Sequence, residues 1–288
     1  MNTEMASRKK IYPRWAGVFA IVSFLLLARG VAYSRSDIWE KLDTGLCIAS
    51  FDPVSEPKSC KGKITILKID PAYYSFELLC ASEHGQKSRT LRQWAQEFSL
   101  VAAINAGMYQ DRDFLRNIGY MRNYRHINNG RISKKLGAFF VFNPVDATMP
   151  AVQMVDTRSV KGWRNIIARY HSVVQSYRMI ANGEKKGWPQ KGEIFCSAAV
   201  GMDRDGHVLF MLSQSLLSVH DLINELLSLP VHITEAMYVE GGPQAALYFK
   251  RGAREITLIG VCTNDRSRES QGPGFEIPNV IGIKKKIK

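Results

Sequence analysis

The chain has 288 residues, enough for one large domain or two small ones, and carries 39 Lys and Arg against 26 Asp and Glu, a formal net charge of +13. Such a surface suits anionic partners, but the sequence contains no zinc-finger spacing, no ribonucleoprotein-type aromatic motif and no basic helix, which argues against nucleic acid. Five cysteines without a Cys-x-x-Cys pair argue against a structural zinc ribbon or a thioredoxin-type site.

At the N-terminus Arg8, Lys9, Lys10 and Arg14 flank an apolar run from Trp15 to Ala28, followed by the small residues of Gly30-Val31-Ala32. The run is short of the roughly 20 residues that span a bilayer. Residues 1–34 are therefore expected to be a secretory signal, with an uncleaved membrane anchor as the alternative. That makes the protein exported, periplasmic or extracellular, with membrane association through this segment if it is retained. Residues 1–32 hold Arg8, Lys9, Lys10, Arg14 and Arg29 against Glu4, so the remainder keeps a charge of about +9. Export permits disulfides, and an odd cysteine count leaves at least one thiol free. Cys47 with Cys60 is the preferred pair, because the two bracket a Pro-rich loop containing Pro53 and Pro57. Cys196 lies in an apolar run and reads as a buried thiol.

Residues 35–59 read as a connecting segment into a domain over 60–262. Strands are expected at Leu46 to Phe51, Lys63 to Asp70 and Tyr73 to Cys80. Thr90 is placed to cap a helix whose Leu91, Trp94, Ala95 and Phe98 recur on one face. Leu100 to Ile104 forms a buried strand that runs into Asn105-Ala106-Gly107-Met108-Tyr109. A polar stretch follows, rich in Asn, Arg and Tyr, containing Asn117, Gly119, Tyr120, Arg122, His126, Asn128 and Arg131. Such a segment between two apolar strands is where binding groups gather.

Further strands are expected at Leu136 to Phe142, Ala151 to Val155 and Val173 to Ile180, the last carrying Gln175 and Ser176. A short helix falls between Gly162 and Tyr170. Ile194 to Met202 and His207 to Leu212 form a hairpin across Asp203-Arg204-Asp205-Gly206, a turn too short for a calcium loop. Ser218 opens a second clear helix, with Val219, Leu222, Ile223, Leu226 and Leu227 on its apolar face and His220 off it, in solvent. Ile256 to Val261 is the last strand, and residues 263–288 read as a basic, disordered tail. Many strands, two or three helices and no regular βαβ alternation give an α+β fold with a large mixed or antiparallel sheet.

The most informative stretch is Met237 to Tyr248. An apolar strand ends on Glu240, and Gly241-Gly242-Pro243 then forms a turn without side chains that a ligand can approach closely. A carboxylate at a strand end beside such a turn is a common way to present an acid or base.

Taken in order, Asn105-Ala106-Gly107-Met108-Tyr109, Asn117-Ile118-Gly119-Tyr120, Gln175-Ser176, Ser197-Ala198-Ala199-Val200-Gly201 with Asp205-Gly206, and Glu240-Gly241-Gly242 resemble the phosphodiester glycosidase family over residues 60–262. The resemblance implies hydrolysis at a sugar C1 joined to a phosphodiester, releasing sugar and a phosphomonoester. It matches Asn105 to the family's Asn-Gly-Gly or Asn-Ala-Gly strand end. Asn117 and Gly119 match the turn that follows, and Glu240 takes the place of the Asp in Asp-Gly-Gly. The chain departs from the pattern in lacking an Arg near Cys196-Ser197 and in replacing Asp-Gly-Gly-x-Ser by Glu-Gly-Gly-Pro-Gln.

This chemistry asks for a carboxylate at an oxocarbenium-like centre and for cations and amide donors around a phosphodiester. Glu240 is assigned as base or nucleophile. Asn105 and Gln175 orient sugar hydroxyls, and His126, or else Arg122 or Arg131, contacts phosphate. Gly107, Met108, Tyr109, Asn117, Gly119, Tyr120, Asn128, Ser176, Gly241 and Gly242 complete the expected binding set. No cofactor is expected, and no clustered His/Asp spacing argues for a metal-dependent phosphodiesterase; a divalent metal requirement is left open. The partner is a phosphorylated glycan or an anionic envelope polymer. The rival reading is an exported, catalytically silent module that binds such a polymer.

Overall fold

Alternate residues of a strand face opposite ways, and here both ways lead into a core. In a computed structural model, Leu67 and Ile66 are adjacent on the strand Ile64–Ile69, and each is fully buried in a different hydrophobic cluster. This is why the strands read as nearly continuous apolar runs instead of alternating ones. The structure describes residues 38–55, 62–110, 113–190, 192–262 and 274–287. The leader-like segment 1–34 and Cys60 lie outside them. Among the described residues no helix is long and apolar enough to cross a membrane.

The main path of the larger sheet runs, in spatial order, Glu40–Asp43, Leu46–Phe51, Ile64–Ile69, Val208–Leu217, Phe195–Asp203, Ile233–Gly241, Tyr170–Ala181, Ala138–Pro144 and Val152–Asp156. A second sheet runs Arg254–Ile259, Ala246–Arg251, Ala102–Asn105, Asn279–Lys285 and Tyr74–Cys80. Every strand pairing along these two sheets is antiparallel. The core between them is built from Leu67, Phe140, Phe210 and Val239 of one sheet and Phe76, Ile104, Leu247 and Ile281 of the other.

Three helices cover the outer faces. Val219–Ser228 lays Leu222, Ile223 and Leu226 on Ile66, Met179 and Tyr238 of the larger sheet. Leu91–Glu97 lays Leu91, Trp94 and Ala95 on Leu79, Ala103 and Val280 of the second. Trp163–Ala168 packs against Phe139, Val141 and Val173. The result is a strand-dominated α+β sandwich whose sheets are antiparallel.

The expected helices form where their caps stand. Thr90 Oγ1 accepts from Gln93 N at 3.3 Å while Gln93 Oε1 accepts from Thr90 N at 2.9 Å, a reciprocal capping box. Thr90→Ala is expected to lower stability by about 1 kcal/mol, read as a shift in the urea midpoint at constant slope. Ser218 Oγ likewise accepts from Asp221 N at 3.1 Å and opens Val219–Ser228.

Four expectations are corrected. Glu40–Asp43, placed in a connecting segment, is a strand paired with Leu46–Phe51. Asn279–Lys285, read as part of a disordered tail, is an interior strand of the second sheet with Val280, Ile281 and Ile283 fully buried. Its apolar positions lie just before three lysines, and the charge run hid them. Cys47 is a free thiol, so the Cys47–Cys60 bridge is not formed, whereas Cys262 is disulfide-bonded. His220 leaves the apolar face as expected, but its side chain is only 14% exposed and meets Asp221 and Lys185. Cys196, free and buried as anticipated, has its thiol pushed up to about 11 by burial.

Candidate active site

The strand Ile233–Gly241 forks away from its neighbour just before Glu240. Its last pairing with Tyr170–Ala181 is Tyr238 against Tyr177. Beyond that point the same edge of Tyr170–Ala181 pairs with Met121–Asn123 through Ser172, Val173 and Val174. Gln175 and Ser176 bridge the gap, Gln175 N donating to Tyr120 O at 2.8 Å and Ser176 Oγ donating to Tyr238 O. On its other side the strand stays with Phe195–Asp203, but Ala199 faces Tyr238 and Ala198 faces Glu240, leaving Val239 as a bulge. A bulge re-aims the side chains that follow it, and here the next one is the carboxylate.

Glu240 is 8% exposed, and among the described residues its carboxylate accepts one hydrogen bond, from Gly241 N at 2.9 Å. Burial therefore dominates and pushes its pKa up to about 7, with the Gly241 amide opposing. A carboxyl group titrating near neutrality can exchange a proton with a substrate at working pH.

Two residues earlier on the same strand, Tyr238 lines a cavity of about 470 Å³; Glu240 itself is not among the lining residues. One wall is aromatic, made of Tyr177, Trp188, Phe195 and Tyr238, with Met108. Trp188 stands edge-on to Tyr177 at 5.6 Å between centroids and tilted to Tyr238 at 5.8 Å, and its Nε1 donates to Arg178 O at 2.8 Å. The other wall is cationic: Lys134, Lys135, Arg158, Arg178 and Lys186. Arg178 Nη1 lies 2.7 and 2.8 Å from the two carboxylate oxygens of Asp156, an almost fully buried pair. Lys186 meets Glu184 at 2.8 Å. Among the described residues no carboxylate stands within ion-pair distance of Lys134, Lys135 or Arg158, so the cavity keeps uncompensated positive charge.

Gly241, next to the carboxylate, is covered by two residues of the cavity lining. A Cβ there would lie 2.0 Å from the Tyr238 hydroxyl and 2.9 Å from Phe195, so only glycine lets these two rings close over the backbone. Tyr238 feels both sides: burial first, and the negative charge of Glu240 second, hold its hydroxyl above the usual phenol range.

The other anticipated residues divide into a framework and a separate cluster. Asn105 does not face the cavity as a hydroxyl-orienting group. Its Nδ2 donates to Gln244 O at 3.0 Å and its Oδ1 accepts from Ala246 N at 2.8 Å, tying the turn after Glu240 to the second sheet. Gln175 is equally committed, its Oε1 accepting from Tyr120 N and Ser133 N and its Nε2 donating to Ser133 O and Leu136 O. Asn128 accepts from Asn117 N and donates to Ser82 Oγ and Leu115 O. Gly119 allows close approach, since a Cβ there would meet Gln175 O at 2.8 Å. Tyr109 pairs with Asn117 across a short hairpin. Gly242 takes the left-handed φ of +66° that starts the 3-10 turn Gly242–Gln244. Of the phosphate candidates, Arg122 donates to Tyr170 O. His126 lies outside the cavity lining, its Nε2 2.9 Å from Ser82 Oγ.

Asn117 differs from the rest of the framework. Its Nδ2 donates to Gly119 O and Gln175 O, while its buried Oδ1 faces Gly107 with no hydrogen-bond partner among the described residues. Gly107 adjoins Met108 of the cavity lining, so this unpaired acceptor is buried behind the lining residues.

The cations themselves were missed in the sequence. They are five positions spread over 134–186, in three stretches besides the adjacent pair Lys134-Lys135. The available signals were two short basic runs, Lys134-Lys135 and Lys185-Lys186, the second followed by Gly187-Trp188-Pro189.

The strand Ile233–Gly241 thus carries both a buried carboxyl group and a lining residue of a basic, aromatic cavity. The family model for phosphodiester glycosidases matches residues 98–284, and the chain belongs to that family. No curated protein matches the sequence. Among solved structures, a hypothetical protein from Synechocystis superposes with a TM-score of 0.58 at 11% identity, covering 86% of this chain and 63% of that one. The catalytic domain of zebrafish N-acetylglucosamine-1-phosphodiester α-N-acetylglucosaminidase, auto-inhibited by its pro-peptide, gives 0.57 at 13% identity, covering 88% of this chain and 86% of that one. At these identities the likeness is one of fold.

Proposed function

We propose that the chain is an exported hydrolase that cleaves a sugar–phosphodiester linkage in a phosphorylated glycan or anionic envelope polymer. The observation that carries this reading is Glu240, a buried carboxyl group with a pKa of about 7 whose charge is felt by Tyr238, a lining residue of a cavity that also holds cations and other aromatic rings.

In the proposed mechanism the aromatic wall takes the sugar face, as rings commonly do. Lys134, Lys135 and Arg158 hold the phosphodiester and stabilise the negative charge that gathers on it as the C1–O bond breaks. The phosphomonoester released from C1 leaves readily, so the second carboxylic acid that ordinary glycosidases use to protonate the leaving group is less needed. This fits a cavity whose nearest other buried carboxylate, Asp156, is bound by Arg178. Ionised Glu240 then activates water or attacks C1.

The test is turnover of a panel of sugar-1-phosphodiesters by the chain and by a Lys134→Glu/Lys135→Glu variant. The variant is expected to raise KM by at least about tenfold, with a weaker dependence on salt, because two attractive charges become repulsive. If no member of the panel is turned over while the chain still binds the polymer, the protein is the silent binding module instead.

A further inference from the structure

We infer that Cys80, Glu83 and His126 form a zinc site that staples the two sheets together. Cys80 ends the strand Tyr74–Cys80 of the second sheet, Glu83 stands in the turn that follows, and His126 begins the strand His126–Asn129 on the larger sheet's side. The thiol sulfur, a carboxylate oxygen and an imidazole nitrogen from these residues lie within 4.8 Å of one another. Ligand atoms around tetrahedral zinc stand roughly 3.5 Å apart, so side-chain shifts of about an ångström bring these three donors into place, and a water molecule takes the fourth position. Thiolate, imidazole and carboxylate together make a borderline donor set that suits zinc better than calcium or magnesium.

The surroundings are those of a supported site. Ser82 Oγ, itself held by Asn128 Nδ2 at 2.9 Å, bonds His126 Nε2 and fixes the ring, and Asn123 Nδ2 donates to Glu83 Oε2 at 3.0 Å. The buried Nε2 of His84 has no hydrogen-bond partner among the described residues and lies 3.9 Å from Glu83 Oε2. Binding converts the Cys80 thiol to thiolate and releases one proton per ion to solvent. The other cluster of similar composition, Asp203 with Asp205 and His207, behaves differently. Asp203 Oδ1 accepts from Asp205 N and His207 N, so its carboxylate serves its own turn.

The test is titration of the metal-free full chain with Zn²⁺ and, as a spectroscopic probe, with Co²⁺. One equivalent is expected to bind, to raise the thermal midpoint, and to give the Co²⁺ complex a thiolate charge-transfer band. Cys80→Ser should abolish the band, and Glu83→Gln should weaken binding by at least the roughly 10–100-fold that loss of a supporting partner costs. Cys47→Ser, which removes a more accessible thiol, should change neither. A band that survives Cys80→Ser, or the absence of stoichiometric binding to the folded chain, overturns the assignment.

Discussion

Glu240→Gln is expected to lower turnover of a sugar-1-phosphodiester by roughly 10²–10⁴-fold while leaving the fold intact, since general acid–base or nucleophilic groups contribute on that order. The amide keeps the volume of the carboxyl group and removes its charge. With the ionised form as the active one, wild-type kcat/KM should rise with pH through about 7, and the variant should lack that limb. A second readout is independent of any substrate. The folded-state pKa of Glu240 lies above its unfolded value, so the native state holds the extra proton between about pH 4.5 and 7. Stability should therefore fall as pH rises through that window, by roughly 3 kcal/mol in all, because every tenfold weakening of an acid corresponds to about 1.4 kcal/mol. Glu240→Gln should flatten this slope and leave the variant more stable than wild type at pH 8. Denaturant titrations of both proteins at pH 5 and pH 8 make the comparison. Parallel pH dependences would show that Glu240 is not the group that titrates anomalously.

Arg178→Met is expected to destabilise the chain by about 3–5 kcal/mol, because it strands the buried carboxylate of Asp156 without its cation. Asp156 also accepts from Arg158 N at 2.7 Å, so the loss should loosen a second cation of the cavity wall. Asp156→Leu in the same chain should recover much of the loss, since replacing both partners of a buried pair by apolar groups is often neutral. The double variant would thereby separate folding from binding, refolded yet weakened towards phosphate-bearing ligands. An equal loss of stability in single and double variants would show that the pair contributes through packing of the arginine stem alone. Unfolding midpoints of wild type and the two variants decide it.

The legibility of the fold varied with the range of the interactions involved. The helices opening at Thr90 and Ser218 were readable because their caps and apolar faces lie within a few residues. Leu46–Phe51 was readable because its residues are apolar and β-forming along most of their length. The end of the chain was not readable, because five buried residues in Asn279–Lys285 are followed directly by lysines. Glu240 stood out because a carboxylate before two glycines is a local pattern. The roles of Asn105 and Gln175 were hidden, because their partners are backbone groups far along the chain, Gln244 and Ala246 for one and Ser133 and Leu136 for the other. A polar side chain that saturates distant backbone looks, in sequence, the same as one that waits for a ligand. The metal-type cluster was likewise invisible, since Cys80 and His126 are brought together by sheet packing and share no spacing motif.

The placement of Asn279–Lys285 bears on the order in which the molecule can be built. That strand lies between Tyr74–Cys80 and Ala102–Asn105, and within its sheet it is the sole neighbour of Tyr74–Cys80. A ribosome makes those two early strands first and their shared partner only after the other described strands of both sheets. Until synthesis has passed residue 285 the sandwich stays open on one side, with Phe76 and Leu78 unprotected. Closure therefore waits on the longest-range pairing in the sheet, the kind that is slow to form. A nascent polypeptide of this design thus holds an incomplete second sheet until that strand is made.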